Sequence, residues 1–352
     1  MPIMVDDLTH PGKARAGDKV AVLSPSFAAP GVAPAVHEQA MRRLTELTGL
    51  VPVEYPTTRR VGASPQERAA DVNAAFADPD IRAILATIGG EDQITIVSHL
   101  DPELARADPK PFLGYSDNTN LLSWLWTHGV AGFYGGSTQV QLGPGPAVDR
   151  CHVAALRAAL LTGERLEITN AGESEDFGKD WADPAALTEY GDREPVERWT
   201  WEGPAHAVTG RTWGGCIDVL QWILTAGGFP ADSQLLDGGV LLLETSEEVI
   251  PAREFGWIIR SLGERGVLAA VDAVLVARPP ASNFDKQPPA DERAAYRAKQ
   301  RDTAIELVGS YNPDAVVCVG VPFGHTRPQW ILPYGGEVTV DGANQRIWSD
   351  YS

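Results

Sequence analysis

Cysteine is scarce in this chain. The three present, Cys151, Cys216 and Cys318, are odd in number and widely spaced over 352 residues. No C-x-x-C or other metal spacing occurs, so neither a disulfide framework nor a zinc site is indicated, and free buried thiols are expected. No apolar run reaches the roughly 18 residues of a membrane-spanning helix, and residues 1–19 lack the apolar core of an export signal. Positive charge is also in short supply, with 29 Lys and Arg against 47 Asp and Glu and a net charge of −18. That balance argues against a nucleic-acid polymer or an anionic membrane as partner, while a small nucleotide-like ligand would need only a local pocket. Missing too are G-x-G-x-x-G, the Walker pattern G-x-x-x-x-G-K-[ST] and H-E-x-x-H, which removes the usual signatures of dinucleotide, nucleoside triphosphate and zinc-peptidase chemistry. The expectation is a soluble, cytoplasmic protein of about two domains.

What is present begins with alternation. Lys19 to Leu23 reads as a buried strand ending in Ser24-Pro25-Ser26, and Ala33 to Thr48 as a helix stopped by Gly49. Ser64-Pro65-Gln66-Glu67 is a capping box that opens a helix to about Phe76. Ile81 to Ile88 is a strand ending in Gly89-Gly90, and Pro111 to Gly114 and Gly132 to Tyr134 supply two more. Strands alternating with helices imply a parallel sheet covered on both faces, whose ligands sit at the carboxyl ends of the strands. From Gly210 the alternation resumes, with strands over 239–244, 271–277 and 315–321, helices over 252–262 and 291–308, and a terminal hairpin turning at Asp341-Gly342. The fold class is therefore α/β.

Between the halves, residues 163–204 are acidic and aperiodic yet carry Phe177, Trp181, Tyr190, Trp199 and Trp201. A solvated linker has no use for such aromatics, so this stretch either packs onto the domains or forms a lid over a substrate.

The densest signal is Gly114-Tyr115-Ser116-Asp117-Asn118-Thr119, between a short apolar run and a helical pattern. A serine at such a strand-to-helix turn projects its hydroxyl beside free helix N–H groups, as in a nucleophile elbow, although Asn118 replaces the second glycine of G-x-S-x-G. Ser116 reads equally as a simple helix N-cap. A serine nucleophile needs a base and an acid to orient that base. Of seven histidines, His10 and His37 read as belonging to the polar surface, His99 and His152 as helical, and His206 as part of the aperiodic stretch. His128 closes the helix that Ser116 opens, about 18 Å away at 1.5 Å per residue. His325 alone follows a strongly apolar strand, held by Gly324, and is either the base or a structural histidine. Glu244 ends Val240-Leu241-Leu242-Leu243, where a charge is costly unless paired or turned to water. The order Ser, Glu, His is one known for catalytic triads.

Taken together these residues resemble the LD-carboxypeptidase family of serine peptidases, peptidase family S66. The resemblance runs through Gly17 to Ser26, Ser64 to Asp71, Ala86 to Gly90, Lys110 to Asp117, Leu242 to Glu244 and Gly320 to His325. It implies a parallel N-terminal α/β domain over 1–160, a connecting segment over 161–209, and a β-rich C-terminal domain over 210–352. It further implies Ser116 as nucleophile, Glu244 as triad acid, His325 as base, and the N–H groups of Gly90 and Asp117 as oxyanion hole. No metal or cofactor is implied, and a homodimer is. One branch of the family trims murein peptides next to a terminal D-residue; another resembles the microcin C immunity proteins, which cleave an acidic amino acid from a nucleotide-like group. The long tryptophan-bearing segment resembles the second branch, with Phe177, Trp181 and Trp199 as candidate substrate contacts, since aromatic rings can stack on a nucleobase. A non-catalytic binding protein and a general esterase are the readings from other classes.

Overall fold

The structure, a computed structural model, describes residues 8–228 and 233–352; the reading of residues 1–19 falls partly outside this range. Among the described residues no helix is long and apolar enough to cross a membrane. Five strands from the first half, β1 (Lys19–Leu23), β2 (Val51–Glu54), β3 (Ile81–Ala86), β4 (Phe112–Gly114) and β5 (Gly132–Tyr134), run parallel. The near-continuous apolar composition of β1, β3, β4 and β5 matches burial on both faces, while β2 is a partly exposed edge strand. The capping box forms as expected: Ser64 Oγ accepts from the Glu67 N–H, and the Glu67 carboxylate accepts from the Ser64 N–H at 2.9 Å. The helix Pro34–Thr48 ends on Gly49 at φ 74°, a left-handed conformation that favours glycine.

The remaining strands are β6 (Arg165–Ile168), β7 (Glu173–Ser174), β8 (Glu194–Pro195), β9 (Thr200–Glu202), β10 (Ala207–Cys216), β11 (Val240–Glu244), β12 (Ala273–Ala277), β13 (Val316–Val321), β14 (Leu332–Tyr334), β15 (Glu337–Asp341) and β16 (Arg346–Asp350). Eight of them build a sheet of order β6-β16-β15-β10-β11-β12-β13-β9. Its centre, β10 to β13, is parallel, and its flanks are antiparallel. One strand crosses between the halves: β14 pairs antiparallel with β5, so the first sheet reads β14-β5-β4-β3-β1-β2. The carboxyl ends of β4 and β11 therefore face a common seam. The hairpin of β15 and β16 forms around Asp341-Gly342 with a longer turn, closing at Arg346.

The connecting stretch is knitted into the second sheet rather than draped over it. β6 and β9 are its two edge strands, and β7 pairs with β8 in a small ribbon. Arg278 and Arg297, both buried, fasten the ribbon: Arg278 reaches Asp176 at 3.0 Å, Glu194 at 3.1 Å and Glu197 at 3.1 Å, and Arg297 binds both oxygens of Asp176. On the other side Arg327 exchanges backbone hydrogen bonds with Glu175 and holds Asp149 at 2.8 Å.

Two burial readings are corrected. His37 is fully buried in its helix, with Nε2 3.2 Å from Glu54, because the helix turns that side onto β2. Cys216 and Cys318 are buried free thiols, as expected, whereas Cys151 is only half-buried.

Candidate active site

β4 ends at Gly114, and the chain turns through Ser116–Asn118 into the helix Thr119–Thr127. Ser116 stands at φ 61°, a conformation costly for a residue with a side chain and found where function over-determines the backbone. The Ser116 hydroxyl caps neither the turn nor the helix, whose N-cap positions fall on Tyr115 and Asn118. The turn is fixed from several sides. Asp117, buried, accepts from Ser26 Oγ, from the Gln93 N–H at 2.8 Å and from Asn120 at 2.9 Å. Burial raises the Asp117 carboxyl, and those donors offset part of that rise. Asn118 donates to the carbonyls of Ile88 and Tyr115 and accepts from Gln93 at 2.8 Å. That explains the departure from G-x-S-x-G: at this position the turn needs an amide clamp, and the close approach is given by Gly114, whose Cβ would lie 2.8 Å from Asn118 Cβ.

The end of β3 closes in from the side. A Cβ on Gly89 would stand 2.9 Å from Ser116 Oγ and 3.1 Å from the Asp117 nitrogen, and one on Gly90 would meet Ser26 Oγ. Gly89-Gly90 thus lies against the nucleophile turn, and Gly90 and the Asp117 N–H share one small region. Arg68, buried in the capped helix, holds this corner by donating to the Pro25 and Ser26 carbonyls while paired to Asp92 at 2.8 Å.

From the other sheet, β11 delivers Glu244, fully buried, and the loop after β13 delivers His325. His325 Nδ1 lies 2.6 Å from Glu244 Oε2. Gly324 permits this: a Cβ there would stand 2.9 Å from that same oxygen. The second oxygen of Glu244 accepts from the Tyr134 hydroxyl at 2.5 Å, and that hydroxyl also accepts from the Ser116 N–H at 3.4 Å. One tyrosine at the end of β5 therefore ties the backbone of Ser116 to the carboxylate from the second sheet. Gly215 gives Tyr134 its space, since a Cβ there would be 2.7 Å from the ring. Burial, and then the Glu244 charge, raise the Tyr134 hydroxyl well above its ordinary value, which keeps it a donor.

The His325 ring rests edge-on against Tyr115, centroids 5.0 Å apart, one residue before Ser116. Its Nε2 is 3.2 Å from Glu247. Among the described residues no hydrogen bond joins Ser116 Oγ to His325. Burial opposes charge on His325, but Glu244 and Glu247 outweigh it and raise the imidazole to about 9. Asp218 adds to this from the helix Ile217–Thr225.

The aromatic candidates lie elsewhere in the connecting stretch. Phe177 packs on Phe284, Trp199 on Trp201 and against Gly320, and Trp181 sits half-buried in the turn Asp180–Asp183. Sequence reasoning missed Tyr134, Arg68 and Glu247. Tyr134 carried one faint signal, a hydroxyl at the end of a buried strand just before Gly135-Gly136. Among the described residues no group of three or more His, Cys, Asp or Glu could hold a metal.

Residues 20–135 match the LD-carboxypeptidase N-terminal domain, and residues 209–340 match the LD-carboxypeptidase C-terminal domain. The chain belongs to the LD-carboxypeptidase family. Within it, a putative carboxypeptidase of Vibrio cholerae is 27% identical over 93% of each chain. The microcin C7 self-immunity protein MccF of Escherichia coli is 26% identical over 80% of this chain and 77% of its own. The fold of MccF, solved in complex with aspartyl sulfamoyl adenosine, superposes with a TM-score of 0.81 at 21% identity, over 99% of this chain and 98% of that one.

Proposed function

We propose that this LD-carboxypeptidase family member is a serine amidase in which Ser116 attacks the scissile carbonyl, His325 takes its proton and Glu244 orients and charges the imidazole. The observation carrying this reading is the 2.6 Å contact of His325 Nδ1 with Glu244 beside a serine held in a left-handed turn. In the neutral imidazole that contact keeps the proton on Nδ1, so that Nε2 is the nitrogen able to take the Ser116 proton. The N–H groups of Gly90 and Asp117 are the candidate oxyanion donors, where developing charge gains most from preset dipoles. Tyr134 takes up the remaining Glu244 oxygen, so the acid presents its other oxygen to the base alone.

For the substrate, the likeness to MccF over most of the chain supports an aminoacyl-nucleotide, cut at the amide between an acidic amino acid and the nucleotide-like group. Phe177, Trp181 and Trp199 are then the rings to test as nucleobase contacts. The test is incubation with aspartyl sulfamoyl adenosine and, in parallel, with a murein tetrapeptide, with products identified by mass. Release of aspartate from the first, absent in Ser116→Ala, is expected. Turnover of the tetrapeptide alone would move the chain to the murein-trimming branch, and turnover by Ser116→Ala would remove the serine mechanism.

A further inference from the structure

The nitrogen of His325 that should face Ser116 faces a carboxylate instead. Glu247 lies in the turn after β11, with its side chain largely in solvent and its Oε2 3.2 Å from His325 Nε2. The turn is set for this: Asn283 donates to the Glu247 carbonyl at 2.8 Å, and Val249, two residues on, stands at φ 52°, rare for a β-branched residue. Glu244 already satisfies Nδ1, so Glu247 adds nothing to the tautomer that the triad requires. Its carboxylate instead pairs with the nitrogen that the serine mechanism assigns to proton transfer.

We propose that Glu247 is a positioning residue that holds His325 away from Ser116 in the unliganded protein and releases it by capturing a cationic group of the substrate, the free α-ammonium of its aminoacyl part. This rests on the serine mechanism proposed above. In the unliganded state His325 is an imidazolium clamped between Glu244 and Glu247. When the ammonium pairs with Glu247, the imidazolium loses that partner and gives its Nε2 proton to water. The neutral nitrogen can then accept the Ser116 proton. The titratable groups facing the ring are Glu244 from β11, Glu247 from its turn, Asp218 from the helix Ile217–Thr225 and Tyr115 from the nucleophile turn. With the imidazole raised to about 9 the unliganded base is charged at neutral pH, and removing the Glu247 charge lowers that value. Three carboxylates around one ring also suit this wall to an ammonium better than to a substrate carboxylate.

The experiment follows the rate at which a fluorophosphonate labels Ser116 in the full chain, across pH, in the parent, Glu247→Gln and the exposed neighbour Glu248→Gln, with Ser116→Ala as blank. Labelling needs a neutral base and no knowledge of the substrate. Glu247→Gln should move the labelling midpoint down by a pH unit or more and speed labelling at pH 7 about tenfold, with Glu248→Gln superposing on the parent. A second arm compares hydrolysis of aspartyl sulfamoyl adenosine with its N-acetyl form; the parent should favour the free amine at least tenfold and Glu247→Gln should lose that preference. Coincident pH profiles for parent and Glu247→Gln would overturn the gating role while leaving the serine mechanism standing. Equal labelling of parent and Ser116→Ala would remove both.

Discussion

At the seam of the candidate site the groups that join the two sheets are Tyr134, Glu244 and His325, linked by short hydrogen bonds with one carboxylate at the centre. Along the connecting stretch the join is made by Arg278 and Arg297 sharing Asp176, Glu194 and Glu197. The seam centres on one buried carboxylate and sets it against one imidazole. The stretch uses many charges and balances them against each other. A site that must transfer a proton needs one group whose state can change, whereas an anchor needs redundancy, because a buried carboxylate left alone is costly. The connecting segment is thus held at its base by the second domain and across its ribbon by Arg327.

The contrast can be broken in order of expected effect. Ser116→Ala should cost on the order of 10⁶-fold in kcat with an unchanged melting temperature, and combining it with His325→Ala or Glu244→Gln should add little, since the three act as a unit. Additive losses would dissolve the triad. Arg278→Ala should instead act on stability, by about 1.5–3 kcal/mol, because it removes charged hydrogen bonds to Asp176, Glu194 and Glu197 while Arg297 keeps Asp176 and Glu194 paired; chemical denaturation measures this, and a loss confined to kcat would show the anchor to be part of the site. Tyr134→Phe removes a donor to a charged carboxylate, worth about 1.5–3 kcal/mol, and should lower kcat without moving KM. An equal effect on stability alone would return Tyr134 to the core. Trp181→Ala and Trp199→Ala separate the two ends of the segment. A ring stacked on a base is worth about 1–3 kcal/mol, so whichever substitution lowers kcat/KM for the aminoacyl-nucleotide, but not for a murein peptide, marks the ligand contact. Trp199, packed on Trp201, is expected to cost stability first.

The smallest effect is one of pH. Burial alone would raise Glu194, but Arg293 and Arg297 outweigh it and lower the carboxyl from 4.5 to about 2. The folded value lies below the unfolded one, so the stabilisation is fully present above about pH 4.5 and drains away as pH falls toward 2. Protease cleavage within residues 163–204 should increase over that window, and Glu194→Gln should flatten the response.

Much of this could be read before the structure because it rests on local rules. The Ser64–Glu67 box, the Gly49 stop, the glycine-lined strand ends and the serine at a strand-to-helix turn each declare themselves within a few residues. Glu244 and His325 stood out because a charge and an imidazole close apolar runs. Tyr134, in a three-residue strand, was indistinguishable from a core aromatic, since its meaning depends on a carboxylate 110 positions away. Glu247 carried no local signal that sets it apart from Glu248 beside it. The arginine anchors escaped for a similar reason: Arg278 and Arg297 find their partners some 80 to 120 residues upstream, and no periodicity reports such pairings. His37 was misplaced because the buried face of its helix is set by β2, not by its own polar neighbours.

The pairing of β14 with β5 bears on how the chain is made. The first sheet is not complete until residues 332–334 leave the ribosome, long after its other strands have been synthesised. Until then the β5 edge offers unpaired backbone groups to any passing strand, an invitation to association that a finished sheet withdraws. His325 and β14 emerge within a few residues of each other, so the last step of assembly that closes the sheet also brings His325 to Glu244, and under the proposed mechanism a nascent chain carries the serine without its base. A circular permutant that begins at β14 would offer that closing strand first and test whether this order of arrival matters.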